Sequence, residues 1–259
     1  MLRSKSGVYG ANITHWQNSH WELLDQGRFT WAIVRSDCDP DIARACHQRD
    51  IQVIVQFPDR FNAGDIPHPE EYAEDCILKL HEFAEHSSIA ILDNEPNLSA
   101  ERCSRWWAEE YTRWYRALVA CFRYHDRECH WKLVMPAMTG TARYNPLDWI
   151  RINRENFDES DSISAHCYWQ TPTQMTFRNY GGYHRLLHQY YPVKRIFITE
   201  YGNSNPEASP TDRASQYPAY LVTLPDYVTA AFVFILGGTP EWSLFHLTPE
   251  IARALGDLH

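Results

Sequence analysis

The sequence predicts a single-domain α/β protein over residues 1–259, folded as a (β/α)8 TIM barrel. Short, almost continuously apolar runs recur along the chain, as strands covered on both faces require. Each is followed by a polar link and a helical pattern, and the unit repeats about eight times at about 32 residues per unit, normal for a barrel of ~250 residues. No linker or low-complexity stretch interrupts the series. The rival architecture, an open doubly wound sheet, would usually carry a glycine-rich turn after its first strand. Here that turn reads Gly10-Ala11-Asn12-Ile13-Thr14-His15, which has no phosphate-cradling pattern.

The elements follow in order. Strands are expected at residues 7–11, 31–35, 52–56, 89–93, 132–135, 162–166, 195–199 and 230–235. After the second, Asp39-Pro40-Asp41 supplies an N-cap with proline in the first turn and opens a helix over 42–48. After the third, Pro69-Glu70-Glu71 opens a helix with Tyr72, Cys76, Ile77, Leu80, Phe83 and Ala84 spaced as one buried face. The fourth leads to a long helix from about residue 100 to 124, with Cys103, Trp107, Tyr111, Trp114, Leu118 and Phe122 on one side. Ser209-Pro210-Thr211-Asp212 matches a capping box after the seventh, and Thr248-Pro249-Glu250 starts the last helix.

Composition narrows the partners. Lys and Arg number 24 against 33 Asp and Glu, a net charge of −9, which disfavours nucleic acid. No apolar run approaches the ~20 residues that span a bilayer, so no membrane partner is expected. Met1-Leu2-Arg3-Ser4-Lys5-Ser6 leads into a strand without a signal-peptide core. The expectation is a cytosolic protein, one released by lysis, or one whose leader is missing from this sequence. The seven cysteines form no CxxC pair, so mostly buried free thiols are expected, with one bridge left open. No cofactor motif is visible, and one sequence does not speak to oligomeric state. Of the aromatics, Trp106, Trp107, Trp114 and Trp131 are assigned to the core. Trp16, Phe57, Phe61, Trp169, Tyr201 and Trp242 are candidate platforms for flat, apolar ligand faces, with packing against the rim as the ordinary alternative.

In such a barrel, function sits at the C-terminal strand ends. The second strand ends at Arg35, the fourth at Asp93-Asn94-Glu95-Pro96-Asn97, the sixth at His166-Cys167-Tyr168-Trp169 and the seventh at Glu200-Tyr201-Gly202. The eighth leads into Gly237-Gly238-Thr239-Pro240-Glu241-Trp242. Strands four and seven face one another across the mouth, so Glu95 and Glu200 are placed to form a pair. Glycoside hydrolysis needs such a pair, one carboxyl protonated to assist the leaving oxygen and one ionised to attack or to activate water. A single strand-end glutamate would read as a solvated or salt-bridged rim residue, but two in polar strand-end motifs favour chemistry.

Leu92-Asp93-Asn94-Glu95-Pro96-Asn97 resembles the strand-four "NEP" motif of the clan A glycoside hydrolases, and Ile198-Thr199-Glu200-Tyr201-Gly202 resembles their strand-seven motif. Motif order and the intervening strands match too, so the resemblance covers nearly the whole chain. It implies a retaining enzyme that needs no cofactor, with Glu95 as general acid/base and Glu200 as nucleophile. It further implies that Asn94 hydrogen-bonds the sugar 2-hydroxyl and that Arg35 keeps Glu200 ionised. His166 and Tyr168 match the strand-six polar pair, Tyr168 bonding Glu200 and His166 orienting substrate or the acid/base. Arg35 reads equally as a structural salt bridge, and His166 as a satisfied barrel histidine. The tryptophan usual at the end of strand eight is missing from residues 232–236, and Trp242 is the substitute from the following loop.

Retention requires carboxyl groups ~5–5.5 Å apart, whereas ~6.5–9.5 Å would imply inversion. The expected substrate is a polysaccharide or oligosaccharide: β-glucan, mannan or the glycan of peptidoglycan, attacked internally. Two other readings compete. A metal-dependent hydrolase could draw on His15, His20, His166 and His246 with Asp37 or Asp39, but neither an HxH on strand one nor an HExxH is present, and no metal site is expected. A non-catalytic carbohydrate-binding barrel would have had no reason to keep both carboxylates.

Overall fold

The computed structural model describes residues 9–14, 16–60, 66–98, 105–127, 131–140, 145–236 and 240–258. Eight parallel strands close into a barrel in chain order: β1 (Tyr9–Ile13), β2 (Trp31–Arg35), β3 (Gln52–Gln56), β4 (Ser87–Ile91), β5 (Lys132–Thr139), β6 (Ser162–Trp169), β7 (Ile196–Asn203) and β8 (Val228–Val233). The described α-helices are α1 (His20–Gly27), α2 (Pro40–His47), α3 (Pro69–His81), α4 (Arg105–His125), α5 (Pro146–Ile152), α6 (Arg154–Glu159), α7 (Tyr183–Tyr190), α8 (Pro210–Val222) and α9 (Pro249–Gly256). Closure is made by β1 against β8, with Gly10 opposite Phe232.

The expected caps form. Asp39 accepts from the Asp41 amide, Ser209 and Asp212 cap each other reciprocally, and Thr248 accepts from the Ile251 amide. β2 and β3 start and stop where predicted. β5, β6 and β7 run three or four residues beyond their apolar stretches, to Thr139, Trp169 and Asn203. The end of β5 pairs with β6, Met138 opposite Ala165 and Thr139 opposite His166, and the ends of β6 and β7 pair with each other. The predicted helix start at 100–104 lies outside the described residues, as do Gly7 and Val8. No helix among the described residues is long and apolar enough to cross a membrane.

Side chains alternate between two cores, as strand geometry dictates. One face of each strand packs against the helices. The other fills the barrel with Trp31, Ile33, Ile54, Ile91, Val134, Phe197, Ala230 and Phe232. The Trp31 ring meets Phe197 at 5.7 Å and Phe232 at 6.4 Å between centroids. Gly10 makes room for this cluster, because a Cβ there would lie 2.5 Å from the Trp31 carbonyl and 2.7 Å from the Phe232 ring.

Two groups of sequence expectations are settled by burial. Trp114 and Trp131 are core residues and Trp107 packs partly buried against the core, but Trp106 is 56% exposed because it lies on the outward side of the first turn of α4. Cys38, Cys46, Cys76, Cys121 and Cys167 are free thiols. Cys103 and Cys129 lie outside the described residues.

Candidate active site

The C-terminal strand ends surround a cleft of about 620 Å³. The interior-facing parity carries Asn12, Arg35, Gln56, Tyr168, Glu200 and Phe234 to its walls from β1, β2, β3, β6, β7 and the residue after β8. Glu95 and Asn94 join them from the loop after β4.

Glu200 reaches the cleft through an irregularity in β7. Phe197 faces the barrel interior and Ile198 the helices, so simple alternation would turn residue 200 towards the helices as well. The register instead pairs Ala165 with Ile198 and then His166 with Glu200, so that Thr199 and Glu200 together span one step of β6. This bulge re-aims the carboxylate inward, as bulges beside functional sites do.

β6 has no such insertion. Ile163, Ala165, Cys167 and Trp169 face the helices, which leaves His166 and Tyr168 pointing inward. The Tyr168 hydroxyl donates to Glu200 Oε2 at 2.5 Å. His166 Nδ1 lies 2.7 Å from Glu95 Oε1 and 3.2 Å from Glu200 Oε2, so one imidazole nitrogen bridges the two carboxylates. One oxygen of each carboxylate and this nitrogen all lie within 4.8 Å of one another.

The Glu95 loop is held from both sides. Asn97, buried, donates to the Thr139 carbonyl at 3.0 Å and accepts from the Thr139 amide at 3.1 Å, tying the loop to the end of β5. Asp93 accepts from the Arg60 amide at 2.9 Å. Gln56 donates to Asn94 Oδ1 at 2.9 Å. Between these ties Glu95 adopts φ of 40°, in the left-handed region where a non-glycine residue costs about 1–3 kcal/mol.

Electrostatics follow from burial. Loss of water raises Glu200 from its ordinary 4.5 to about 7; the positive charge of His166 and the Tyr168 hydrogen bond oppose the rise, and Glu95 adds to it. Burial disfavours charge on His166, but Glu200 and Glu95 together outweigh it and hold the imidazole above its ordinary value. Tyr168, buried beside both carboxylates, is pushed well above the phenol range and stays a neutral donor.

Several sequence expectations need correction. The Arg35 guanidinium lines the cleft but forks onto Asp37, at 3.0 and 2.8 Å, and not onto Glu200; His166 is the cation facing that carboxylate. Trp169 and Tyr201 are fully buried and stack on each other at 6.2 Å on the helix side of the sheet, and the Trp169 indole donates to Gln216. Each directly follows an inward-facing residue, Tyr168 or Glu200, so alternation turns both away from the cleft. Trp242, 46% exposed, does line the cleft, over Phe234 and Phe245 at 5.6 and 6.2 Å. Phe57 is a buried cleft wall, and Trp16 packs edge-on against Trp21 at 4.3 Å beside a neighbouring hollow. Phe61 and His15 lie outside the described residues. Among the described residues, His20, His246, Asp37 and Asp39 do not gather into a metal-binding cluster; the group close enough to hold a cation is Glu95, His166 and Glu200.

Sequence reading missed Asn12 and Gln56. Both are the last interior-parity polar residue of a strand, and that position is the signal that finds them. Asn12 Oδ1 is buried beside the cleft with no hydrogen-bond partner.

Comparison with known proteins adds a family. A family model described as "Glycosyl hydrolase catalytic core" matches residues 69–236. No curated protein matches the chain. Among solved structures, a GH128 (subgroup I) endo-β-1,3-glucanase from Amycolatopsis mediterranei in complex with laminaritriose is similar, with 16% identity, a TM-score of 0.63, and 98% of this chain and 100% of that one covered. A GH128 (subgroup III) curdlan-specific exo-β-1,3-glucanase from Blastomyces gilchristii has 15% identity and a TM-score of 0.60, over 96% and 97% of the two chains. Thermotoga maritima Cel5A, solved with mannotriose, has 12% identity and a TM-score of 0.66, over 97% and 98%.

Proposed function

The chain belongs to the glycosyl hydrolase catalytic core family, and from that premise we propose that it is a retaining glycosidase cutting within a β-glucan chain, with Glu95 and Glu200 as its two carboxylates. The observation that carries this reading is convergence: one oxygen of each carboxylate lies within 4.8 Å of an oxygen of the other, which favours direct attack, for which carboxyl groups ~5–5.5 Å apart are required, over the ~6.5–9.5 Å that admits a water.

Glu95, protonated, donates to the glycosidic oxygen while Glu200 attacks the anomeric carbon. Tyr168 and His166 stabilise the anionic Glu200 before attack and release it as its charge moves into the new bond. With that charge gone, Glu95 takes a proton from a water as the water oxygen bonds the anomeric carbon; the bond to Glu200 breaks, returning that carboxylate to its anionic form and releasing the sugar. Asn94, beside Glu95, is placed to bond the 2-hydroxyl, an interaction that strengthens at the transition state. The half-exposed Trp242 offers a platform for a sugar face. A second hollow of about 640 Å³ adjoins the cleft through shared Thr14 and Arg35, which favours a groove open to a polymer. The β-1,3-glucanase neighbours favour β-glucan over mannan or peptidoglycan as the first substrate to test.

The test is a panel of β-1,3-glucan, cellulose, mannan and peptidoglycan, with product length and first-product anomer followed by NMR. Mixed-length oligosaccharides of retained configuration are expected. Glu95→Gln should lower glucan cleavage by about 10²–10⁴-fold, and far less on aryl glycosides whose leaving group needs no proton. An inverted first product removes the retaining scheme. Glucan binding without turnover in the wild type would leave a binding barrel.

A further inference from the structure

We propose that Gln56 is a positioning residue that fixes which end of the Asn94 amide meets the substrate. The inference rests on the glycosidase reading above and extends it to a residue with no counterpart in the motifs.

An asparagine amide is nearly symmetric in shape and opposite in polarity at its two ends, so only a hydrogen-bond partner decides whether it presents N–H or C=O. Asn94 sits in the loop after β4 and has one such partner on a rigid strand. Gln56, the last residue of β3, donates from Nε2 to Asn94 Oδ1 at 2.9 Å. Its own backbone is pinned: it pairs with Arg35 of β2 and Ile91 of β4, and its carbonyl accepts from the Ser36 amide at 2.9 Å. The Gln56 side chain is 5% exposed, inside the barrel wall. With Oδ1 engaged, Asn94 is left to offer its two N–H bonds to the cleft. The group such a donor serves is an oxygen, and beside the acid/base that oxygen is the sugar 2-hydroxyl. Gln56 thus acts through Asn94 and not on the reacting atoms.

The experiment compares wild type, Gln56→Met and Gln56→Glu on two aryl β-glucosides, one complete and one lacking the 2-hydroxyl on the sugar at the cleaved bond. Methionine keeps the volume and removes the donor. Glutamate offers only acceptors, so it draws the Asn94 N–H towards itself and turns the oxygen to the substrate. On the complete glycoside both variants should lose about tenfold in kcat/KM, chiefly in kcat, since the bond strengthens at the transition state. On the deoxy glycoside Gln56→Met should stay within about twofold of wild type. Equal losses on both substrates mark a merely structural role or a direct contact elsewhere and overturn the proposal, as does no loss on either. Two variants keep the comparison available should one fail to fold. A wild type that cleaves neither glycoside nor any glucan sinks the glycosidase reading itself, and this inference with it.

Discussion

A single proton governs the centre of the cleft. Glu200, His166 and Glu95 meet at one imidazole nitrogen, and burial makes a second negative charge there expensive. Glu200 must be ionised to attack, so kcat/KM should fall as pH drops below about 7, the value to which burial raises this carboxyl. Tyr168→Phe removes a donor that favours the ionised form. The acid limb should therefore move to higher pH, with a loss of about tenfold or more at pH 6 in a pH–rate profile. Stability runs the other way. Glu200 binds its proton more tightly when folded than at its ordinary 4.5, so its contribution favours the fold fully below that value and is lost as pH rises through about 7. Glu200→Gln should consequently stabilise the protein at pH 8 by about 1–3 kcal/mol and much less at pH 4, read from denaturant midpoints.

At the level of elements, the site depends on how strand ends are tied together. Asn97 satisfies both backbone groups of Thr139 across a buried gap. Asn97→Ala should remove both of these bonds, lower stability by about 1–3 kcal/mol and let the strained Glu95 backbone relax, detected as lost turnover with faster amide exchange at Thr139. The same elements show what a sequence discloses. Apolar runs exposed all eight strands, and the caps at Asp39, Ser209 and Thr248 exposed three helix starts, because these signals are local. Helix α5 opens on Asn145-Pro146, with Asn145 accepting from the Leu147 amide, a mark of the same kind that the sequence reading passed over, whereas α1, α6 and α7 have no side-chain cap bond to show where they start. The partly polar ends of β5, β6 and β7 depend on pairing partners distant in sequence, so hydrophobic patterning stops short of them. The carboxylate pair was legible as motif; Trp169 and Tyr201 were misplaced because choosing a cleft side chain requires the parity of its strand, and β7 changes parity at Thr199.

The molecule as a whole is a closed ring of strands, and its two ends secure each other. β1 pairs with β8, the Tyr9 hydroxyl donates to the Leu255 carbonyl at 3.0 Å, and α9 packs on α1 so closely that a Cβ at Gly256 would stand 2.2 Å from the Gln26 carbonyl. No strand can leave without opening two ladders. Calorimetry should show one unfolding transition, with calorimetric and van't Hoff enthalpies equal, and Gly256→Ala should lower its midpoint without splitting it. The extra residue in β7 has a consequence for descent. Loss of one residue at Thr199 would restore simple alternation, with Glu200 following Ile198 directly and still turned inward, so a one-codon deletion there leaves the carboxylate at the mouth. Descendants can shed or regain this residue, by the same reasoning, without turning the carboxylate out of the cleft.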